Sequence, residues 1–280
     1  MSYKNTKLCV GIFAISCSNY PIYQEIPASS AEIPIASAIP VKQVPEIKIP
    51  TLSTFETKFN SNNKNRSYNI QLAAGVLNKL TIPPGSRFSF NETVGPRTKD
   101  KGYLKATQFF AGTKVEGYGG GVCQVSSTLF VAAIMGGLNI ITRHAHSRPV
   151  PYVKEGMDAA VSYDEKLDLV FENPYEAILT IKTEIDNDIL KISFVGFDSG
   201  LTTKHIYKKG NAIPFATKNI KSKFIKEKRK IQTGISGIPG FGSWIYFKEE
   251  QEVKRVNFAS NYQPVPEIWV VPVDNDTEND

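Results

Sequence analysis

The sequence predicts an α+β fold in which a cysteine-bearing helix packs on an antiparallel sheet and a small all-β module follows. The run 123–135 repeats apolar residues at helical spacing and stops at Gly136-Gly137. From residue 158 to residue 195, alternating and β-branched runs are typical of successive strands. Helices early and strands late indicate an α+β domain with an antiparallel sheet.

Length and charge narrow the class of protein. A chain of 280 residues is long enough for two domains. Its 33 basic and 27 acidic residues give a net charge of +6, which suits work near an anionic polymer or surface without identifying one. The three cysteines are Cys9, Cys17 and Cys123.

Residues 1–17 have the features of an export signal. Lys4 and Lys7 precede a short apolar run that ends in Ala14-Ile15-Ser16-Cys17, which resembles a bacterial lipobox. The run is far shorter than the roughly 20 residues of a transmembrane helix. We therefore predict an exported lipoprotein, lipidated at Cys17 and anchored to the membrane on its extracytoplasmic face. The alternatives are an ordinary secretory signal, or a cytosolic N-terminus that is not an export signal.

The next segment, 18–50, carries repeated prolines and is predicted to be an extended tether. A folded domain is predicted over 51–197. Alternation predicts a strand at 52–59, and apolar residues at helical spacing predict a helix at 67–80 after a polar loop. The remaining predicted strands are 87–90, 108–110, 138–142, 158–163, 168–171, 178–183 and 189–195, with a loop at 91–102.

The segment 198–273 is predicted to be a small β module, and 274–280 a disordered acidic tail. Glycines at 234, 237, 240 and 242 separate short β-prone runs around Trp244 and Trp269. Lysines and one arginine crowd the stretch 218–230. Phe224 is its only aromatic residue, so we predict no nucleic-acid partner and favour a solvated strand face or an anionic wall polymer.

Cys123 is the candidate nucleophile. It lies at the predicted start of a helix, directly after Gly119-Gly120-Gly121-Val122. Free N–H groups and the helix dipole favour a thiolate there, and three glycines allow a substrate backbone to approach closely. The alternative is an inert cysteine in an apolar helix, with glycines that only permit close packing.

His146 is the candidate base, and Asp158 the candidate residue that orients its imidazole. His144 lies two residues away on the same predicted strand, so both histidines are expected on one face. Asp168 is the alternative orienting residue, and either aspartate alone is equally consistent with turn chemistry. Gln124, through its side chain or the nearby backbone N–H groups, is a candidate for an oxyanion hole. Arg97 is a candidate clamp for a carboxylate or phosphate, or else a solvated charge.

We predict no cofactor and no metal. Cys123, His144 and His146 are the residues that come nearest to a ligand set, but no zinc-type spacing is present. No phosphate-binding glycine loop of nucleotide type is present either.

The segment 52–196 resembles the VanW domain of bacterial envelope proteins. The resemblance rests on several motifs, in order Arg66-Ser67-Tyr68-Asn69-Ile70, Pro84-Gly85-Ser86-Arg87-Phe88-Ser89-Phe90-Asn91, Val94-Gly95-Pro96-Arg97-Thr98, Gly119 through Leu129, His146-Ser147, Gly156-Met157-Asp158-Ala159, Asp168-Leu169 and Asn173. It implies a cell-envelope protein but no settled activity. The segment after it resembles a G-five module, which implies binding of wall glycans.

A Gly-Val-Cys that enters a helix, followed by a histidine, is also similar to the core of transglutaminase-like and papain-like folds. The histidine follows the cysteine sooner here than in those folds. These resemblances imply a cysteine peptidase or acyltransferase that acts on peptide bonds of the cell wall, with peptidoglycan or an anionic glycan as its partner. The alternative is a non-catalytic protein that binds cell-wall peptidoglycan or glycan.

Overall fold

A computed structural model describes residues 49–110 and 113–273 of the chain. The predicted signal with Cys17, most of the proline-rich tether and the acidic tail lie outside the described residues. The described residues belong to one compact unit. In the described ranges, no helix is long and apolar enough to span a membrane.

The predicted α+β class is confirmed in its broad form, with strands more abundant than helices. The elements as far as residue 195 are β1 (Thr51–Lys58), α1 (Lys64–Leu77), β2 (Thr81–Ile82), β3 (Arg87–Ser89), α2 (Phe90–Val94), a 3-10 turn (Lys99–Lys101), β4 (Lys105–Phe110), β5 (Thr113–Tyr118), α3 (Val122–Met135), β6 (Asn139–Thr142), β7 (Val170–Glu172), β8 (Leu179–Asp186) and β9 (Ile189–Val195).

The main sheet is antiparallel, with strand order β1-β9-β8-β2. Helix α3 packs on β1 and β9, and α1 packs on α3 and β8. Of the 14 residues of α3, only Cys123 and Met135 are not fully buried. A helix that is buried on all sides belongs to the core of a domain, so α3 is the element that the rest of the domain surrounds.

Three local predictions were wrong in instructive ways. Helix α1 begins three residues before the predicted start, because the Asn63 side chain accepts a hydrogen bond from the backbone N–H of Arg66 at 3.3 Å and caps the helix. The predicted loop at 91–102 contains most of α2, which Ser89 caps in the same way. The predicted strand at 158–163 forms only isolated bridges, with His144 and Leu167 as partners.

The C-terminal segment is all-β, as the sequence indicates. Its strands are β10 (Thr202–Lys209), β11 (Thr217–Ser222), β12 (Arg229–Gln232), β13 (Gly240–Lys248), β14 (Gln251–Ala259) and β15 (Glu267–Pro272). They form two sheets, an antiparallel β10-β13-β14 sheet and a β11-β15-β12 sheet in which β11 runs parallel to β15.

The first of these sheets is joined to the main core. Trp244 and Tyr246 of β13 belong to the same buried cluster as α3. The Tyr246 hydroxyl donates to the carbonyl of Ile134 at 2.7 Å. The boundary predicted at residue 197 therefore lies between segments that share buried side chains.

Candidate functional site

A cleft of about 1420 Å³ opens at the N-terminal end of α3, and Cys123 and His146 both line it. Cys123 is the second residue of the helix and the only one in its first three turns that is partly exposed. Its sulfur lies 3.4 Å from the carbonyl oxygen of Val161. The fold thus leaves the Cys123 thiol partly exposed, at the helix end where positive partial charge collects.

Cys123 and His146 line the same cleft, and each shifts the pKa of the other. Burial alone raises the pKa of the Cys123 thiol, but the hydrogen bond and charge of His146, with a smaller contribution from Arg97, bring the pKa below its ordinary value. Burial lowers the pKa of His146, but Asp158 and Cys123 raise it to about 9. Each group therefore stabilises the charged form of the other, which favours a thiolate–imidazolium pair.

Asp158 holds the opposite side of the imidazole. Its Oδ2 lies 2.7 Å from His146 Nδ1 and accepts the backbone N–H of His146 at 2.6 Å. Its Oδ1 accepts from Arg143 Nη2 at 2.9 Å and from the Tyr262 hydroxyl at 2.8 Å. The carboxylate is fully buried. Burial raises the pKa of this carboxyl group, but the opposing effect of His146 and Arg143 is larger. The pKa is therefore lower than its ordinary value, and the group stays ionised. This arrangement leaves His146 Nε2 facing the cleft.

The hydroxyls of the cysteine motif fix the segment that carries Asp158. Ser126 Oγ donates to the carbonyl of Ala159 at 2.6 Å. Ser127 Oγ accepts the backbone N–H of Ala159 at 2.9 Å. The residue after Asp158 is therefore bound to the first turns of the helix that carries Cys123, which sets the spacing of the site.

The two histidines do not share one face, contrary to the expectation from strand parity. Both lie beyond the end of β6, in a segment without a continuous strand. His144 pairs through its backbone with Ala160, whose N–H donates to the His144 carbonyl at 2.8 Å, and it is not among the residues that line the cleft. Strand parity fails because the ladder stops at Thr142.

Asp168 is used elsewhere and does not orient the imidazole. Its carboxylate accepts from Ser89 Oγ at 2.6 Å, from the backbone N–H of Asn91 at 2.9 Å and from its neighbour Leu169 at 2.8 Å. These contacts hold the start of α2. Asp168 therefore has the structural role predicted from the sequence as its alternative, in which the carboxylate bonds nearby backbone and hydroxyl groups.

The polar atoms of the Gln124 side chain are all hydrogen-bonded to other parts of the protein. Its Nε2 donates to Thr57 Oγ1 and to the carbonyl of Lys58, both at 2.9 Å, while its Oε1 accepts from Arg66 Nη2 at 2.8 Å. Its backbone N–H donates to the carbonyl of Gly121 at 2.9 Å. Neither donor points to a substrate carbonyl, so the oxyanion role predicted for this side chain has no support in the geometry.

The three glycines make room for other parts of the chain. A Cβ at Gly119 would lie 2.6 Å from Arg97 Cβ, and one at Gly120 would lie 2.8 Å from the carbonyl oxygens of Ala106 and Thr107. A Cβ at Gly121 would lie 3.0 Å from Arg66 Cγ. All three line the cleft, but the missing side chains face the protein and not a substrate, which differs from the predicted role.

Arg97 and Arg66 line the cleft beside the thiol. Arg97 packs over the ring of Phe90, with Cζ 5.4 Å from the ring centroid, and donates to the carbonyl of Gly95 at 2.9 Å. Its Nη2 is buried without a hydrogen-bond partner in the described part of the chain. For both arginines, burial lowers the pKa of the guanidinium while the charge of Cys123 raises it.

Sequence reasoning missed Tyr152 and Tyr262. The Tyr152 hydroxyl lies 3.5 Å from His146 Nε2, and burial together with the Cys123 charge raises its pKa well above the ordinary value. Tyr262 reaches Asp158 from 104 residues away in the chain. The position of Tyr152, six residues after His146, was a weak local signal, whereas no local pattern connects Tyr262 to the site.

Fold and site together define an α+β protein whose cleft carries a Cys–His–Asp cluster at a helix N-terminus. Residues 65–195 match the family described as VanW like protein. The chain therefore carries a VanW-like domain, and the resemblance inferred from its motifs is confirmed.

Two curated relatives share this region. One is "Uncharacterized protein YoaR" of Bacillus subtilis, which is 45% identical over 138 residues, covering 49% of this chain and 45% of the relative. The other is "Vancomycin B-type resistance protein VanW" of Enterococcus faecalis, 34% identical over 130 residues, covering 45% of this chain and 47% of the relative. The chain thus spans about half the length of the curated relatives it matches.

Solved structures of G5 domains are similar to part of the chain. The IgA1 protease G5 domain shares 20% identity over 27% of this chain and 92% of that domain, with a TM-score of 0.21. The HP0197 G5 domain shares 14% identity over 26% of this chain and 99% of that domain, with a TM-score of 0.16. Scores this low do not define the fold of the module, which rests on the strands described above.

Proposed function

We propose that the protein is a cell-envelope enzyme, a cysteine peptidase or acyltransferase that acts on a peptide-type bond of the cell wall. Cys123 is the nucleophile, His146 the acid and base, and Asp158 the group that orients the imidazole. One observation carries the proposal: Cys123 and His146 line the same cleft, and Nδ1 of the imidazole lies 2.7 Å from a fully buried carboxylate. This is the arrangement that an activated cysteine nucleophile requires.

The reaction begins with the thiolate–imidazolium pair. The Cys123 sulfur attacks the carbonyl carbon, a C–S bond forms, and the carbonyl electron pair moves to oxygen. The oxyanion collapses, the C–N bond breaks, and the imidazolium gives its proton to the leaving amine. His146 then takes a proton from water, or from an acceptor amine, which attacks the thioester. The acyl group leaves as an acid or an amide, and the thiolate–imidazolium pair is restored.

Two donors near Cys123 suit the oxyanion. The backbone N–H groups of Val122 and Gln124 donate to Gly119 and Gly121, which leaves the N–H of Cys123 itself at the helix end. The Tyr152 hydroxyl is the second, since its raised pKa keeps it protonated beside His146 Nε2. Donors that are already in position as charge develops on oxygen are the most effective kind.

The test is the pH dependence of alkylation at Cys123. Cys9 and Cys17 are replaced by serine so that Cys123 is the only cysteine, and the protein is treated with iodoacetamide between pH 5 and 10. Labelling that persists well below the ordinary thiol pKa of about 8.5, and that moves toward that value in His146→Gln, supports the pair. Release of amine or acyl transfer on purified stem peptides, absent in Cys123→Ala, then tests turnover.

A second candidate is a non-catalytic cell-wall binding protein, favoured by the surface of β12 and β15. The Nζ atoms of Lys228 and Lys230 lie 4.4 and 5.1 Å from the ring centroid of Trp269. An aromatic ring flanked by cations suits an anionic glycan better than a nucleic acid in an exported protein. Sedimentation with purified sacculi tests this role. Undiminished binding by Cys123→Ala, together with no turnover, would favour it over catalysis.

Export and lipid anchoring at Cys17 complete the proposal. The sequence before residue 18 supports a lipoprotein signal, and the tether 18–50 gives reach from the membrane to the wall. Detergent-phase partitioning of the wild type and of Cys17→Ala separates the alternatives. A full-length product that stays in the aqueous phase and keeps Met1 would contradict lipidation.

A further inference from the structure

We propose that the cleft binds peptides through a free carboxylate next to the scissile bond, and that Arg97 and Arg66 receive this carboxylate. The inference rests on the proposed function, because it locates the carboxylate beside Cys123. It names the substrate class: an anionic peptide, cut or transferred near its own carboxylate.

Neither guanidinium forms a close ion pair in the described residues. The charges of Asp164 and Asp168 act on Arg97 at longer range, but the Asp168 carboxylate is hydrogen-bonded to Ser89 and Asn91. In the ranges 49–110 and 113–273, the ion pairs within 4.0 Å involve other cations, and none includes Arg66 or Arg97. A guanidinium has five N–H donors. Side-chain hydrogen bonds use one nitrogen of Arg97, for Gly95, and one nitrogen of Arg66, for Gln124. Most of the donor capacity of both residues remains for a ligand.

The charges around the thiol do not balance. In the proposed ion pair the charges of Cys123 and His146 offset each other, and Asp158 is paired with Arg143 at 2.9 Å. The two guanidiniums are then in excess. The carboxylates that line the same cleft are Asp164, Glu165 and Asp188, and all three are exposed to solvent. Partly desolvated charges call for a counter-charge, which a bound carboxylate supplies.

The glycine loop explains why the arginines lie here. The aliphatic part of Arg97 packs against Gly119, where an added Cβ would lie 2.6 Å from Arg97 Cβ. The aliphatic part of Arg66 packs against Gly121, where an added Cβ would lie 3.0 Å from Arg66 Cγ. Gly119 and Gly121 have φ values of 82° and 110°, which disfavour any larger residue. The loop that leads to Cys123 is therefore shaped to bring two guanidiniums to the thiol.

A carboxylate is the ligand that the donors and the reaction share. The planar guanidinium fork matches the two oxygens of a carboxylate, and a peptide substrate offers that group at its C-terminus or on an acidic side chain. Phosphate is the other group that such a fork binds, and the experiment below separates the two.

The experiment compares alkylation of Cys123 by iodoacetate and by iodoacetamide, which differ in one carboxylate. The full chain is used, with Cys9 and Cys17 replaced by serine, at pH 7 and low salt. Relative to the rate ratio for N-acetylcysteine, the ratio of iodoacetate to iodoacetamide should rise on the order of tenfold, the factor that about 1.4 kcal/mol gives. It should fall toward the free-thiol ratio in Arg97→Gln and in Arg66→Gln.

Two variants act as controls. Arg87→Gln removes an exposed arginine that pairs with Glu172 and does not line the cleft, so the ratio should stay at the wild-type value. Arg97→Lys keeps the charge without the fork and should retain part of the preference. A further measurement uses the wild-type protein alone and so needs no variant to fold. It compares how well acetyl-Ala-Ala, acetyl-Ala-Ala amide and acetyl-Glu-amide protect Cys123 from alkylation. Protection by acetyl-Ala-Ala only indicates a C-terminal carboxylate, and protection by acetyl-Glu-amide indicates a side-chain carboxylate.

A wild-type ratio equal to that of N-acetylcysteine overturns the proposal, as does protection by inorganic phosphate with none by either carboxylate. Iodoacetamide carries no charge, so its labelling rate reports only how much of Cys123 is thiolate. Normal low-pH labelling with no preference for iodoacetate would sink only the carboxylate inference, whereas loss of low-pH labelling itself would sink the proposed nucleophile.

Discussion

Replacing Asp158 by asparagine is the most informative single change, because this carboxylate is bonded on every side. It accepts hydrogen bonds from Arg143, from the backbone and ring of His146 and from Tyr262, at distances between 2.6 and 2.9 Å. Its own side chain is 0% exposed and that of Arg143 is 1% exposed. Asparagine keeps the shape of the group but removes the negative charge.

The expected cost has two parts. Removing one partner of a buried ion pair costs about 3–5 kcal/mol, which lowers the Tm of a folded body of this size by roughly 6–20 °C. The second part is electrostatic. Asp158 is the chief group that raises the pKa of His146 to about 9, so without it the imidazole is less able to hold the thiolate. The pH midpoint of Cys123 alkylation should then rise toward about 8.5, the value of an ordinary thiol.

The assay is iodoacetamide labelling against pH, on protein whose folding is first checked by near-UV circular dichroism at low temperature. Asp168→Asn is the matched control: it removes a carboxylate that caps α2 and should cost about 1 kcal/mol without moving the labelling midpoint. His146→Gln should move the midpoint while sparing the Arg143 pair. An unmoved midpoint in Asp158→Asn, or an equal movement in Asp168→Asn, would refute the reasoning.

Two further predictions concern glycine packing and pH. Gly120→Ala should lower the free energy of unfolding by about 1–3 kcal/mol in denaturant, because the added Cβ would lie 2.8 Å from two backbone oxygens. Gly75→Ala is the control: its Cβ would have nothing within 4 Å, so the change should be neutral or stabilising by up to about 1 kcal/mol. Turnover should fall as pH rises through about 9, since His146 then loses the proton it gives to the leaving group, and should fall again as pH drops through the depressed pKa of Cys123. A rate that is flat from pH 6 to 10 would contradict the imidazolium acid.

The sequence predicted α1, α3 and the main-sheet strands β1, β8 and β9 because their signals are local. The apolar period of α3 and its glycine stop are contained within about fifteen residues, and β8 and β9 alternate as strands do. The capping residues were harder to see. Asn63 and Ser89 start helices at positions where the surrounding composition is that of a loop.

The candidate site divides in the same way. Cys123 and His146 were predicted from their order in the chain, with the family motif favouring His146, and Asp158 was predicted by analogy with the acid of a Ser–His–Asp triad. The true partners of Gln124 and Asp168 were not predictable, because they are set by contacts with β1, α1 and the start of α2 that lie 58 to 79 residues away. Polar residues in a motif have structural and chemical uses alike, and only the fold separates them.

The contacts of Asp158 and Arg143 lead to a prediction about the C-terminal module. Arg143 Nη1 donates to the carbonyl of Ala259 and to Ser260 Oγ, both at 2.9 Å, and the Tyr262 hydroxyl donates to Asp158. Truncation after residue 197 would remove all three groups, together with the buried Trp244 of the shared core. The truncated chain should therefore lose low-pH labelling of Cys123 even where circular dichroism shows retained secondary structure.

A milder change separates support of the site from general packing. Tyr262→Phe keeps the ring and removes one donor to the carboxylate, so it should cost about 1–2 kcal/mol of stability and lower the labelling rate at pH 6, where the thiolate depends most on its partners. Tyr207→Phe is the control, since the Tyr207 hydroxyl donates to the carbonyl of Ser260 at 3.1 Å and not to Asp158. Equal labelling rates for wild type and Tyr262→Phe, with a truncated chain that still labels at low pH, would mean that the first 197 residues hold the Cys–His–Asp cluster unaided.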